Sequence, residues 1–201
     1  MSHTYIKTFF LFLAGLTLLT SGCASSPQAR FYSLTAMSPQ APVPADTKAP
    51  SVTIASVTIP ELINRPQMVI RTDGTQVELL ETQRWAEPLK TAIPLTVSEN
   101  ISRILGSDRI SSYPQNASYS ADFKVYLDIQ RFESAGEYVL IDALWAIRRP
   151  DEKPPRSGRT KSREKVKGSG YEAIAAAYSS GLANISNDIA MALKKEWALN
   201  K

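Results

Sequence analysis

The sequence predicts an α+β fold: a small mixed or antiparallel sheet with two long helices packed on one face. Three observations carry that prediction. Phe123, Val125, Leu127 and Ile129 alternate with Lys124, Tyr126, Asp128 and Gln130, the period of a half-buried strand. Leu89, Ile93, Val97, Ile101, Ile104 and Leu105 recur at helical spacing, and so do Tyr171, Ile174, Tyr178, Leu182, Ile185, Ile189, Leu193 and Trp197. Strands interrupted by two such helices do not read as repeated strand-helix units, and no internal repeat is present.

In chain order, Phe31 to Leu34 reads as a short strand. Residues 36–50 carry Pro39, Pro42, Pro44 and Pro50 and read as an extended linker or surface loop. Ser51 to Ile59 is rich in β-branched residues. Its apolar set passes from Val52 and Ile54 to Val57 and Ile59, so either a bulge lies near Ala55 or both faces are buried. Met68–Arg71 and Gln76–Glu81 form a hairpin through Asp73 and Gly74. The first helix should end at Gly106. Pro94 conflicts with its interior, because proline removes a hydrogen bond and clashes with the preceding turn, which requires a kink or a late start. After Gly136, Tyr138–Ile147 is apolar on both parities, the pattern of a central strand buried on both faces. Residues 150–158 turn the chain into a basic strand at 159–167. Ser169 and Glu172 then form a capping box for the last helix, whose apolar face is most simply core.

Ahead of these elements lies a different kind of segment. Lys7 precedes an 11-residue, largely apolar run from Phe9 to Leu19, too short to span a bilayer, followed by Thr20, Ser21, Gly22 and Cys23. This resembles a bacterial lipobox, with Thr20 where Leu is usual. The competing reading of Cys23, the sole cysteine, is a free thiol near the start of a secreted chain. Lipidation accounts for both its position and its solitude. By resemblance to the sorting rule of enteric bacteria, absence of Asp after Cys23 favours passage to the outer membrane, with the domain facing the periplasm. The expected organisation is a signal peptide at 1–22, a lipidated N-terminus with a short strand and Pro/Ala-rich linker at 23–50, and a single domain at 51–201.

Cleavage after Gly22 removes His3, the only histidine, and leaves 22 basic against 19 acidic residues. Histidine triads, cysteine nucleophiles, and His-rich or thiolate metal sites are thereby excluded from the mature chain. No Gly-rich phosphate loop or calcium loop is present, and Ser162 to Lys165 matches Ser-x-x-Lys only inside a run of charge. No catalytic residue, metal site or cofactor is expected. Residues 148–167 hold nine basic and three acidic residues, with Arg159, Lys161, Arg163, Lys165 and Lys167 at every second position. Such a stripe is a solvated edge strand that discourages aggregation, or a patch for acidic headgroups or an acidic partner. Nucleic acid is not an expected partner.

Phe31-Tyr-Ser-Leu34, the strand ending Val57-Thr-Ile-Pro60-Glu-Leu62, Arg65-Pro-Gln-Met-Val-Ile-Arg71, Trp85-Ala-Glu-Pro-Leu89 and the long terminal helix follow the lipobox in this order. Together they make the mature chain resemble the PqiC/YmbA-like lipoproteins, auxiliary components of ABC-type transport. Pro94 and the basic hairpin depart from that pattern. The resemblance implies an outer-membrane lipoprotein that works with a mammalian-cell-entry (MCE) domain protein and inner-membrane transport components, without catalysis. Arg65, Arg71 and Trp85 are residue types frequent in contact hot spots, and stand as candidates for homo-oligomer or partner contacts; salt bridges and core burial are the simpler roles. Two other function classes stay open: a lipoprotein activator of a cell-wall synthase, and an envelope hydrolase using carboxylates among Asp122, Asp128, Glu133 and Asp142.

Overall fold

A computed structural model describes residues 27–38, 49–114, 121–150 and 154–199. Cys23 and most of the Pro/Ala-rich stretch lie outside the described residues. In order, the elements are β1 (Arg30–Tyr32), β2 (Val52–Thr58), a 3-10 turn (Glu61–Ile63), β3 (Gln67–Arg71), β4 (Val77–Trp85), α1 (Leu89–Leu105), β5 (Ile110–Ser112), β6 (Phe123–Ala135), β7 (Tyr138–Arg148), β8 (Arg156–Lys165) and α2 (Gly170–Leu199).

The 13-residue strand β6 is the axis of the sheet. One edge of β6 pairs antiparallel with β7, which pairs antiparallel with β8. The other edge is shared by two strands: β2 runs parallel to residues 123–128, and β3 is parallel at Ser134 and Ala135. Beyond β2 lies β5, and beyond β3 lie β4 and then β1, which completes one mixed sheet of eight strands among the described residues. Pro60 and the 3-10 turn separate β2 from β3, since proline cannot donate to the ladder.

Both helices cover the same face. α1 lies on β2 and β5, α2 lies on β7 and β8, and the helices pack on each other. Ile93, Val97 and Ile101 join Leu182, Ile185, Ile189 and Leu193 above Val52, Ile54, Val125, Leu127, Val139 and Ile141 in one core. Full burial of each such aliphatic side chain contributes about 1.5–3 kcal/mol, so the helix-facing stripe drives the fold.

Several expectations are sharpened or corrected. The parity switch in β2 is a bulge between Ile54 and Ser56, after which Val57 pairs with the buried Leu127. A second bulge between Ile129 and Arg131 moves Phe132 and Ser134 to the core side of β6, and that strand continues well past Ile129. α1 begins at Leu89 and contains Pro94, which excludes a late start. It ends at Gly106, whose φ of 62° supplies the left-handed cap. β5 is not evident from the sequence, because three residues show no periodicity. β8 begins at Arg156 and ends at Lys165, so Lys167 lies beyond it. β7 is central but not buried on both faces. Val139, Ile141, Ala143 and Ile147 are sealed under the helices, whereas Leu144 on the opposite face remains 39% exposed.

Gly158 shows why β8 needs a glycine. Trp145 of β7 lies across it, and a Cβ there would come within 2.2 Å of the indole ring. The indole Nε1 donates to Thr160 Oγ1 (3.1 Å), which donates to Asp188 Oδ2 (2.8 Å), linking β7, β8 and α2. Gly158→Val is therefore expected to lower stability by about 1–3 kcal/mol through overpacking, read as a lower urea midpoint at unchanged m-value.

Candidate functional site

The described segment nearest Cys23 is built into the domain. β1 pairs parallel with β4, with Arg30, Phe31 and Tyr32 opposite Gln83, Arg84 and Trp85. Ala86 N donates to Tyr32 O (2.8 Å), and the Tyr32 hydroxyl donates to Gln83 Oε1 (2.7 Å). Past β1 the chain crosses the helix pair as a strap. Thr35 N donates to Ser179 Oγ of α2 (3.1 Å), and Met37 N donates to Asn100 Oδ1 of α1 (2.8 Å). Asn100 is fully buried, and its amide reaches Ser186 Oγ at 3.3 Å.

Two clefts border the strap. One of about 390 Å³ lies against α1, lined by Tyr32, Leu34, Trp85, Ala92, Thr96 and Arg103 among others. The second, of about 780 Å³, lies against the start of α2, where Arg30, Phe31, Tyr171, Ala175, Ala176 and Ser179 contribute to its walls. Sequence reading passes over Asn100 and Ser179. A signal exists, because Asn100 lies three residues from Val97 and Ser179 three from Leu182, polar groups at core spacing. Truncating Asn100 removes the acceptor for a strap amide. Asn100→Ala is expected to cost about 1–3 kcal/mol and to speed proteolytic nicking near Met37, measured by limited digestion and mass spectrometry.

The three contact candidates end up in different settings. Trp85 is core, 5% exposed, against Tyr178 and Phe132. Arg71 is ion-paired, its Nε 2.8 Å from Glu133 Oε2, and its Nη1 donates to Gly74 O (3.1 Å) within the β3–β4 hairpin. Arg65 is half-buried, and its Nε has no hydrogen-bond partner among the described residues.

The four carboxylates each engage different partners. Asp128 accepts from Thr58 Oγ1 (2.6 Å), and Glu133 bonds Arg71 and Arg131. Hydrogen bonds from Arg159 at 2.7 and 2.6 Å hold the Asp142 carboxyl below its ordinary value. Asp122 is likewise lowered, first by the Ser51 amide and then by the Ser51 hydroxyl, both at 2.7 Å, and also by Arg109. Carboxylates held ionised in this way are poor general acids. Among the described residues no group of three metal-ligating side chains is present.

The Ser51–Asp122 clasp ties the start of β2 to the start of β6, because Asp122 N also donates to Ser51 Oγ (2.9 Å). With its pKa depressed in the fold, Asp122 stabilises the protein above the unfolded value and loses that contribution as pH falls below 3.8 and through the folded value. Asp122→Asn is expected to flatten the acid limb of stability, measured as urea midpoints between about pH 5 and pH 2.

The basic stripe does lie on one face, the one away from the helices, since Arg159, Lys161, Arg163 and Lys165 pair with Leu144, Asp142, Leu140 and Tyr138. Much of its charge has partners within the chain. Arg159 is bidentate to Asp142, Arg163 lies 3.7 Å from the Tyr138 ring centroid, and Lys165 is 3.6 Å from Glu137. These contacts favour the solvated-edge role. No helix among the described residues is long and apolar enough to cross a membrane.

Comparison with solved structures finds the same fold elsewhere. A Xanthomonas campestris protein of the family DUF330 superposes with a TM-score of 0.67 at 16% identity, over 85% of this chain and 99% of that one. An uncharacterized protein superposes at 0.65 with 18% identity, over 83% of this chain and 99% of its own. No curated protein matches the sequence. The sequence pattern of the ABC-type transport auxiliary lipoprotein component matches residues 32–190, from the end of β1 to deep within α2. The chain therefore belongs to the family of ABC-type transport auxiliary lipoprotein components.

Proposed function

We propose that this protein is a non-catalytic, lipid-anchored subunit at the outer membrane, facing the periplasm, which assists an MCE-domain protein and inner-membrane transport components in moving lipid or hydrophobic solute. On this reading its contribution supports envelope integrity. Family membership supports the transport role. The observation that carries the anchored-adaptor reading is the docking of β1 into the sheet. Only residues 24–29 separate Cys23 from that strand, which limits the reach from lipid to fold to about 22 Å. An adaptor held this close can fix one end of an assembly at the membrane.

Cleavage before Cys23 leaves no histidine and no free thiol, and the four carboxylates engage separate partners, which favours binding over chemistry. Half-buried Arg65 and Arg71 are the contacts proposed for self-association or partner docking, with Trp85 acting from within to hold β4 and β1 in place.

Crosslinking in intact cells followed by mass spectrometry should recover an MCE-domain protein together with copies of this chain. Recovery of a cell-wall synthase with no MCE-domain protein would instead support the activator reading. Glycan cleavage by the purified protein, abolished by Asp128→Asn, would support the hydrolase reading.

A further inference from the structure

A single exposed aromatic on a protein surface needs no explanation. Phe31 is informative because of its position. It occupies the middle of edge strand β1, is 64% exposed, and follows Cys23 after only seven intervening residues, 24–30. Its strand neighbour Tyr32 packs against the core, so alternation turns Phe31 outward. Arg30 beside it is exposed and lines the larger cleft together with Tyr171. The strand cannot swing away to hide the ring, because the bonds from Ala86 to Tyr32, from Thr35 to Ser179 and from Met37 to Asn100 pin it and the strap that follows.

We infer that the β1 edge is the surface on which the domain sits against the phospholipid bilayer, with Phe31 entering the boundary between headgroups and acyl chains. This rests on the anchored reading of Cys23. Seven residues reach at most about 25 Å, so an acylated Cys23 holds β1 within that distance of lipid, the shortest leash of any described strand. Phe is among the side chains that membrane-surface segments bury at the boundary between headgroups and acyl chains, and Arg30 adds attraction to anionic headgroups. The tether then supplies proximity, and β1 supplies orientation. A domain seated in this way presents one defined face to the periplasm instead of tumbling on its leash.

The mature chain offers a direct test, because an acylated Cys23 leaves no competing thiol. Full-length Phe31→Cys protein, purified from membranes, is labelled with a nitroxide and reconstituted into vesicles of phosphatidylcholine mixed with phosphatidylglycerol. Collision of the label with oxygen and with a water-soluble nickel chelate is then read by electron paramagnetic resonance. The expected result is frequent oxygen collision with suppressed nickel collision, the signature of a label in lipid, and a smaller suppression in vesicles of phosphatidylcholine alone, where the seat is shallower. High collision with both reagents places the label in water and overturns the inference. Low collision with both places it against protein, a second copy or a partner, and also overturns it. Mass spectrometry of the same sample separates anchoring from seating: an unacylated Cys23 removes the anchored reading and this inference together, whereas an acylated Cys23 with a water-exposed label removes the inference alone.

Discussion

Trp85→Ala is expected to lower the unfolding free energy by about 3–5 kcal/mol, the range for deleting a large aromatic from a core. Trp85 meets Tyr178 edge-on, with ring centroids 5.6 Å apart at 72°, and lies 6.4 Å from Phe132. Phe132 and Tyr178 stack at 4.1 Å and 12°. The three rings join β4, β6 and α2, so the loss combines a cavity with broken aromatic contacts worth about 0.5–1.5 kcal/mol each. Burial at this cluster also pushes the Tyr178 phenol far above its ordinary pKa, which keeps it neutral. Against a total stability of about 5–15 kcal/mol, such a loss leaves a marginal protein. It also strikes β1. Trp85 pairs with Tyr32, and its amide donates to Pro66 O at 2.7 Å, so a relaxed β4 end loosens the edge beside it. Urea denaturation checks the magnitude, and Trp85→Phe should recover most of it. A loss under about 1 kcal/mol for the alanine variant would show that the cluster is not a principal tie between sheet and helix.

On the proposed anchored reading, Cys23→Ala is expected to remove the protein from the outer membrane while leaving its fold intact. Each buried methylene of an acyl chain contributes about 0.8 kcal/mol to anchoring, so losing all chains reduces partition by many orders of magnitude. No interfacial aromatic can offset that alone. The described elements begin at β1, after Cys23, so the urea midpoint should match that of the parent protein. Membrane fractionation and intact-mass analysis give the readouts: a parent acylated at Cys23 in the outer-membrane fraction, and a variant without acyl chains outside it. A variant that supports envelope integrity normally at the same expression level would contradict the adaptor reading, because on that reading position between the membranes is what the cysteine confers.

Legibility in the sequence follows the range of the interaction responsible. Both helices are readable because their apolar residues repeat every three or four positions, and Gly106 marks the end of α1 through its left-handed backbone. The alternation in Phe123–Ile129 announces the first half of β6. The switch at Ala55 leaves a bulge and two-sided burial open, and the register with β6 resolves it as a bulge. The second half of β6 is hidden by another bulge, which reverses parity after Ile129. Residues 138–147 look buried on both faces, since Leu140 and Leu144 are apolar; nothing local reveals that the helices cover only one side. Trp85 is readable as core or contact, and its burial against Tyr178 is visible only once β4 and α2 are brought together. Asn100 is visible only as an interruption in an apolar stripe, because its partner, Met37, lies 63 residues away.

Residue periodicity and short contiguous motifs were enough for the α+β class, the two helices, most strand positions and the lipobox-like pattern at Cys23. Long-range pairing was needed for the rest: that β6 shares one edge between β2 and β3, that β1 closes the sheet beside β4, and that a strap pinned by Asn100 and Ser179 follows a strand presenting Phe31 outward. A backbone amide or a strand edge can pair equally well with many partners along the chain. Which pairing prevails depends on the whole core being filled at once, and that sum is not contained in any local window.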